Sequence, residues 1–150
     1  MSAATQDIEH PTRTQRSQYR YLFTAKHHGG DKGAAMWLPE ISQNTEFSIF
    51  DNADLRQIAD SRGWLYGILL DGDGELQDIG TWDEQVAEFQ PGASPDDQWH
   101  GYPQWALDET GPPNRRKQSC CPEKTVFNQM AAIGLITKIQ RKRLVTGRPA

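Results

Sequence analysis

Residues 63–89, GWLYGILLDGDGELQDIGTWDEQVAEF, decide the predicted fold. The segment 64–70 is a nearly continuous apolar run, about the length of a buried strand and too short to span a membrane. The sequence Asp-Gly-Asp-Gly at 71–74 follows, and Asp-Gly between two apolar runs predicts a hairpin turn. We therefore expect 75–80 to return as a second strand.

The residues after this hairpin predict a helix. Thr81 and Glu84 have the spacing of a capping box, in which two side chains satisfy the free backbone amides at the start of a helix. Val86 and Phe89 then supply apolar positions three residues apart. Together these signals predict a helix over 82–89.

The residues before the hairpin predict two strands and a helix. Strands at 19–25 and 47–50 precede a helix at 52–62, which Gly63 ends in the left-handed conformation. This order predicts an α+β domain with a mainly antiparallel sheet of about four strands, and with helices 52–62 and 82–89 covering one face. The predicted core consists of Tyr21, Phe23, Phe47, Ile49, Leu55, Ile58, Trp64, Tyr66, Ile68, Leu70, Ile79, Val86 and Phe89.

The length and composition suit one globular domain. A chain of 150 residues with five Trp, four Tyr and five Phe can bury a core of its own. Residues 1–18 are polar, so we expect a flexible arm without an apolar leader segment. The two cysteines at 120–121 are adjacent, and neighbouring cysteines seldom pair with each other. We therefore expect a reduced, cytoplasmic protein with no membrane partner.

The charge of the chain is divided between two regions. Residues 1–113 carry 19 acidic and 7 basic side chains, a net charge of −12, whereas residues 114–150 carry one acidic and nine basic ones, a net charge of +8. The predicted organisation is therefore an acidic α+β domain over 19–113, with an aromatic and Pro-rich loop at 90–113, followed by a basic helical segment at 114–150 that packs on the same domain. An asymmetry of this size indicates separate electrostatic roles.

The basic segment predicts two short helices. Pro122 suits the first position of a helix, Gly134 suits a turn, and Thr137 suits the cap of a second helix. This arrangement resembles in outline the helix-turn-helix element of DNA-binding proteins, which implies contact with phosphates. Two alternatives are that the cations are only solvated, or that they dock on the acidic body. The candidate contact residues are Arg115, Arg116, Lys117, Lys138, Arg141, Lys142, Arg143 and Arg148.

The loop at 90–113 supplies a second candidate surface. Trp99, Tyr102 and Trp105 are large rings, and exposed Trp and Tyr side chains are good anchors for a partner. His100 lies among them and close in sequence to the acidic residues 96–97. It is a candidate general base, although a histidine that locks the loop through a carbonyl is the more common arrangement.

Neither the acidic turn nor the histidine pair predicts a metal site. Asp71, Asp73 and Glu75 alternate like the first ligands of a calcium loop, but Leu76 and Trp82 stand where an EF-hand needs Gly and Glu. A two-carboxylate magnesium site remains an alternative. The favoured interpretation is that the acidic residues serve the turn and keep the hairpin tip soluble. The histidines at 27–28 are expected in a mobile polar loop, because no zinc spacing joins them to the cysteines. No metal and no cofactor is predicted.

These observations favour a small non-enzymatic binding or regulatory protein of a bacterial type. Its basic C-terminal helices are expected to contact nucleic acid or an acidic protein, and its acidic body is a possible surface for a protein partner. No nucleophile elbow, phosphate-binding loop or dinucleotide fingerprint occurs in the sequence. One alternative is a small nuclease or toxin-like hydrolase that uses His100 with nearby carboxylates. A second alternative is an acidic immunity-type inhibitor of a cationic enzyme.

Overall fold

The computed structural model describes residues 8–9, 21–23, 28, 36–81, 84–92, 99–104 and 122–145. Within these ranges the chain forms a mixed α+β fold, which confirms the predicted class. The five strands are β1 (Ile8–Glu9), β2 (Leu22–Phe23), β3 (Leu65–Gly67), β4 (Val86–Gln90) and β5 (His100–Gln104). The three helices are α1 (Gln43–Arg56), α2 (Lys124–Ala132) and α3 (Lys138–Val145).

The strands form two antiparallel sheets. The larger has the order β3-β4-β5, with Tyr66 opposite Glu88 and Glu88 opposite Tyr102. The smaller pairs β1 with β2, so a short piece of the predicted flexible arm is paired, while the rest of 1–18 lies outside the described residues. The sequence predicted about four strands in one sheet. The described strands instead form one sheet of three strands and one sheet of two.

Helix α1 replaces the predicted strand at 47–50, which is wrong, and it contains only the first part, 52–56, of the helix predicted at 52–62. The helix begins earlier because the Ser42 hydroxyl accepts a hydrogen bond from the Thr45 amide at 3.1 Å. Phe47 and Phe50 then lie three residues apart on the buried side of the helix. The helix ends at Gln57, which adopts the left-handed conformation (φ 51°), whereas Gly63 (φ 85°) belongs to the following loop.

Strand β4 replaces the predicted helix at 82–89, which is also wrong. The backbone carbonyl of Glu84 accepts hydrogen bonds from the amides of Ile79 (2.7 Å) and Gly80 (3.2 Å), so Glu84 closes a turn and does not cap a helix. The residues from Val86 to Phe89 are all buried, on both faces of the sheet. A strand covered on both sides has no polar alternation, so its sequence is easily taken for a helix.

The predicted turn at 71–74 is present, but its flanking strands are shorter than expected. Leu70 forms an antiparallel bridge with Leu76, and the Asp71 amide donates to the Glu75 carbonyl at 3.0 Å. The long-range partner of β3 is β4 and not the returning segment 75–80. The Asp-Gly signal therefore predicted the local turn correctly. It did not indicate which strands pair in the larger sheet.

Each face of the larger sheet buries its own hydrophobic cluster. The first, here called the α1 core, joins β-strand residues such as Leu65 and Phe89 to Phe50 of α1 and to Tyr21. Tyr21 stacks on Phe50 with ring centroids 4.6 Å apart. Gly67 allows α1 to approach, because a Cβ at this position would lie 2.7 Å from Cγ2 of Ile49.

The second cluster, here called the C-terminal core, packs α2 and α3 against the opposite face. It joins Tyr66 and Val86 of the sheet to Phe127, Met130 and Leu144 of the helices. The region 122–145 is therefore packed on the sheet and shares its core. Of the predicted core residues, Leu55 is 43% exposed, Trp64 and Leu70 are partly buried, and the Phe23 side chain lies outside what the structure describes.

The helix pair α2–α3 forms as predicted, and local interactions fix both its turn and the start of α3. Gly134 has a positive φ of 77° in the connecting turn. Thr137 and Gln140 cap α3 reciprocally, since the Gln140 amide donates to the Thr137 hydroxyl at 3.0 Å and the Thr137 amide donates to the Gln140 side chain at 2.8 Å. Glu123 precedes α2 as its N-cap, and Pro122 is buried just before it.

Both outer edges of the larger sheet carry further contacts. Beside β5, the Trp99 carbonyl accepts from the Leu22 amide at 2.8 Å, and the Gly101 carbonyl accepts from the Trp37 indole at 3.3 Å. Beside β3, the Tyr66 amide donates to the Ile58 carbonyl at 2.9 Å. The sheet is thus continued on each side by single bridges.

Candidate functional site

A row of polar side chains crosses the larger sheet on the face of the C-terminal core. Tyr66, Glu88 and Tyr102 are cross-strand neighbours, so their side chains meet. Glu88 is only 3% exposed, and its two carboxylate oxygens accept from the Tyr66 hydroxyl at 2.8 Å and the Tyr102 hydroxyl at 2.6 Å. A buried carboxylate needs such donors, because an unpaired one would be costly. This set, with Asp60 and Arg62, is called the carboxylate network below.

The loop before β3 supplies the ionic end of the carboxylate network. The Arg62 guanidinium donates to Oδ2 of Asp60 at 2.7 and 3.0 Å, and lies 3.5 Å from the ring centroid of Trp64. Its side chain is 42% exposed, whereas that of Asp60 is fully buried. Burial raises the pKa of Asp60, but hydrogen bonds from Arg62 and Tyr66 outweigh burial, so the pKa lies below its ordinary value of 3.8.

The Tyr66 hydroxyl joins the two carboxylates. It lies 2.8 Å from Oδ2 of Asp60 and 2.8 Å from Oε2 of Glu88, and it has one hydrogen to donate. Burial, followed by the Glu88 carboxylate, raises the pKa of Tyr66 well above its ordinary value of 10.0, so the phenol keeps its proton. The network can therefore shift a hydrogen bond between two buried acids, with Arg62 as its contact with solvent.

His100 lies near the carboxylate network, on the same strand as Tyr102 and opposite Gln90. Gln90 donates to the Tyr102 hydroxyl and to Oε1 of Glu88 (3.2 Å for the latter). The predicted loop around His100 is thus strand β5, and the carboxylate closest to it in the register is Glu88. The acidic residues 96–97 lie outside the described residues. A role for His100 as an acid or base stays a prediction.

His28 lies at a second buried carboxylate, whereas we expected the histidines at 27–28 in a mobile polar loop; position 27 lies outside the described residues. Its Nε2 lies 2.6 Å from Oε1 of Glu46, and the Tyr21 hydroxyl donates to the other carboxylate oxygen. The imidazole is parallel to the Trp37 ring, with centroids 6.1 Å apart. Burial and Glu46 together raise the pKa of Tyr21 above its ordinary value. These contacts join the N-terminal segment to α1.

Four of the predicted basic contact residues lie on α3. Lys138, Lys142 and Arg143 are exposed, and they surround Ile139, which is 66% exposed. This set is called the α3 cationic surface below. Arg141 is instead partly buried and donates to the side-chain oxygen of Asn128 at 3.1 Å.

The opposite side of α3 is fixed to the body. Leu144 is buried in the C-terminal core, and the Gln140 side chain donates to the Gly74 carbonyl in the acidic turn at 2.8 Å. In that turn, Oδ1 of Asp71 accepts from the amides of Asp73 (2.8 Å) and Glu75 (3.0 Å). The Asp71 carboxylate thus stabilises the turn, as the favoured interpretation of this segment required.

The predicted aromatic surface is only partly as expected. Trp99 is 7% exposed and packs in the α1 core, with its ring centroid 6.3 Å from that of Phe50. Tyr102 is partly buried in the carboxylate network. Trp99 therefore belongs to the α1 core and not to an exposed surface. The remaining predicted contact residues lie outside the described residues, namely Trp105, Arg115, Arg116, Lys117 and Arg148.

No family model, no curated protein and no solved structure matches this chain. The described residues include no group of three or more His, Cys, Asp or Glu side chains placed to hold a metal ion. No helix in the described ranges has the length and apolar character that crossing a bilayer requires.

Sequence reasoning missed the carboxylate network. Asp60 and Glu88 were both assigned to helices, and Tyr66 was assigned to the core without a polar role. The available signal was Glu88 between the apolar residues Ala87 and Phe89, because a charged residue inside a buried strand needs partners. Its partners became visible only with the register of β3, β4 and β5.

Proposed function

We propose that this protein is a non-enzymatic binding protein that uses the α3 cationic surface to bind an acidic protein. The observation that carries the proposal is the contrast between the two sides of α3. One side is fixed by Leu144 and Gln140, whereas the other exposes three cations around Ile139. A rigidly mounted helix face binds with little ordering cost.

The apolar centre of this surface favours a protein partner over nucleic acid. Interfaces between proteins combine an apolar centre with a charged rim, and Ile139 with Lys138, Lys142 and Arg143 has this composition. Phosphates, in contrast, gain nothing from an isoleucine.

The test is a pull-down from source cells with the full chain, at low and high salt and with or without nuclease treatment. We expect replacement of Lys138, Lys142 and Arg143 by Gln to weaken capture of the partner, because exposed ion pairs contribute roughly 0.2–1 kcal/mol each. The combined loss is about threefold to a hundredfold, and the salt dependence flattens. Nuclease treatment should leave the capture unchanged.

Two single variants complete the test. Ile139→Ser should weaken binding to a protein but leave binding to nucleic acid unchanged, since only the former uses the apolar centre. Lys124→Gln removes an exposed cation on α2 and is the control that should bind normally. Capture that survives the triple replacement, or that disappears after nuclease treatment, would contradict this function.

A further inference from the structure

A cavity of about 200 Å³ lies between α1, β3 and the turn that joins α2 to α3. Its lining is mostly apolar and draws on both cores, with Ile49 and Ala53 from α1, Ile58 and Ile68 from beside β3, and Leu135 from the turn. Protein interiors are packed with few voids larger than a water molecule. Among the described residues, no side chain fills this space.

One wall of the cavity is polar and faces solvent. Ser48, Asn52 and Arg56 follow one another at intervals of four residues, so they lie along one line of α1, and all three are exposed. Within the part of the chain that the structure describes, the Arg56 guanidinium has no carboxylate partner. The cavity thus has an apolar floor and a cation at its mouth.

The position of Arg56 has a simpler partial explanation. It lies in the last turn of α1, where a cation is favoured by the helix dipole. This accounts for the charge but not for the apolar cavity beside it. An apolar space next to a cation is complementary to a molecule that has an apolar chain and an anionic head.

We propose that this cavity binds a small carboxylic acid, with its apolar chain against Ile58, Ile68 and Leu135 and its carboxylate at Arg56. At roughly 30 Å³ for each water-sized group, the cavity accommodates about seven such groups, which suits a medium-length acyl chain. The site shares no residue with the α3 cationic surface. Either assignment can therefore fail without the other.

The experiment is a titration of the full chain with octanoate, followed by the NMR signals of isoleucine and leucine methyl groups. We expect saturable shifts at Ile49, Ile58, Ile68 and Leu135. Arg56→Gln should weaken octanoate binding about fivefold, as expected for the loss of one largely exposed ion pair, and should leave binding of octan-1-ol unchanged.

Two further variants control the experiment. Lys124→Gln removes an exposed cation outside the cavity and should change neither affinity, whereas Leu135→Trp fills the cavity and should abolish binding of both compounds. Absence of saturable shifts in the wild-type protein would overturn the proposal. So would equal octanoate affinities in the wild-type protein and Arg56→Gln, and this comparison decides the matter even where Leu135→Trp does not fold.

Discussion

At the residue scale, the two acids around Tyr66 differ in how the fold satisfies them. Asp60 accepts from two backbone amides and a guanidinium, and Glu88 accepts from the Tyr102 phenol and an amide side chain. The Tyr66 phenol lies 2.8 Å from an oxygen of each acid. Charge-assisted hydrogen bonds are stronger than neutral ones, and they favour the ionised carboxylate. The hydrogen bonds that Asp60 accepts hold its pKa below the ordinary value, so the ionised form of Asp60 stabilises the folded protein.

Replacing Asp60 by Asn should destabilise the protein by about 1–3 kcal/mol at neutral pH, because Arg62 and Tyr66 lose a charged acceptor. The pKa of Asp60 lies below its ordinary value of 3.8 in the folded state, so its contribution is complete above that value and is lost as the pH falls through the folded pKa. Urea unfolding at about pH 6 and about pH 3 should show the difference between wild type and variant shrinking in acid.

The matched control is Asp73→Asn. Asp73 lies in the exposed turn, and its carboxylate is not buried among donors as that of Asp60 is. Its effect should be within about 0.5 kcal/mol at either pH. A difference between wild type and Asp60→Asn that grows as the pH falls would contradict the proposed role of Asp60.

At the element scale, signals confined to a few neighbouring residues predicted structure correctly. The turn at 71–74, the cap at Thr137 and the turn at Gly134 are all where the sequence placed them. Two other local signals failed, because Glu84 closes a turn and Gly63 lies in the loop after α1. The strand assignments that failed depended on distant partners. Glu88 and its neighbours are buried on both faces, so a strand there has the apolar pattern of a buried helix.

The same distinction explains what the sequence revealed of the candidate sites. The cations of the α3 cationic surface were predicted because their charge and helical spacing are local properties. The carboxylate network unites Asp60, Tyr66, Glu88 and Tyr102 through the sheet register, which no local pattern specifies.

The reciprocal cap of α3 supplies a test at this scale. Thr137→Ala removes the hydroxyl that accepts from the Gln140 amide, and we expect it to cost about 1 kcal/mol in urea unfolding. Thr125→Ala is the matched control, because Thr125 is an exposed threonine within the first turn of α2 and not its cap. Equal losses for the two variants would show that α3 does not depend on this cap.

At the scale of the whole molecule, one three-stranded sheet supports both cores. Phe89 faces the α1 core and Val86 faces the C-terminal core, so β4 belongs to both. The charge asymmetry of the chain predicts a separate electrostatic role for its C-terminal region, and the described part of that region, 122–145, shares a core with the sheet. The electrostatic division and the structural division therefore do not coincide.

Replacing Phe127 by Ala tests this unity. Removal of a fully buried phenylalanine from the C-terminal core should cost about 3–5 kcal/mol. Because the sheet is shared, far-ultraviolet circular dichroism and tryptophan fluorescence should report one coincident transition, shifted for both probes. A transition that stays at its wild-type midpoint for one probe would indicate that 122–145 unfolds independently.

The bridges at the borders of the larger sheet bear on self-association. Exposed strand edges are templates for strand addition and aggregation. Here the outward carbonyls of Trp99 and Gly101 are already bonded, Pro103 has no amide hydrogen to offer, and the Tyr66 amide beside β3 is bonded to Ile58. A foreign strand therefore finds little backbone to pair with, and polymerisation through β-pairing is disfavoured on both sides.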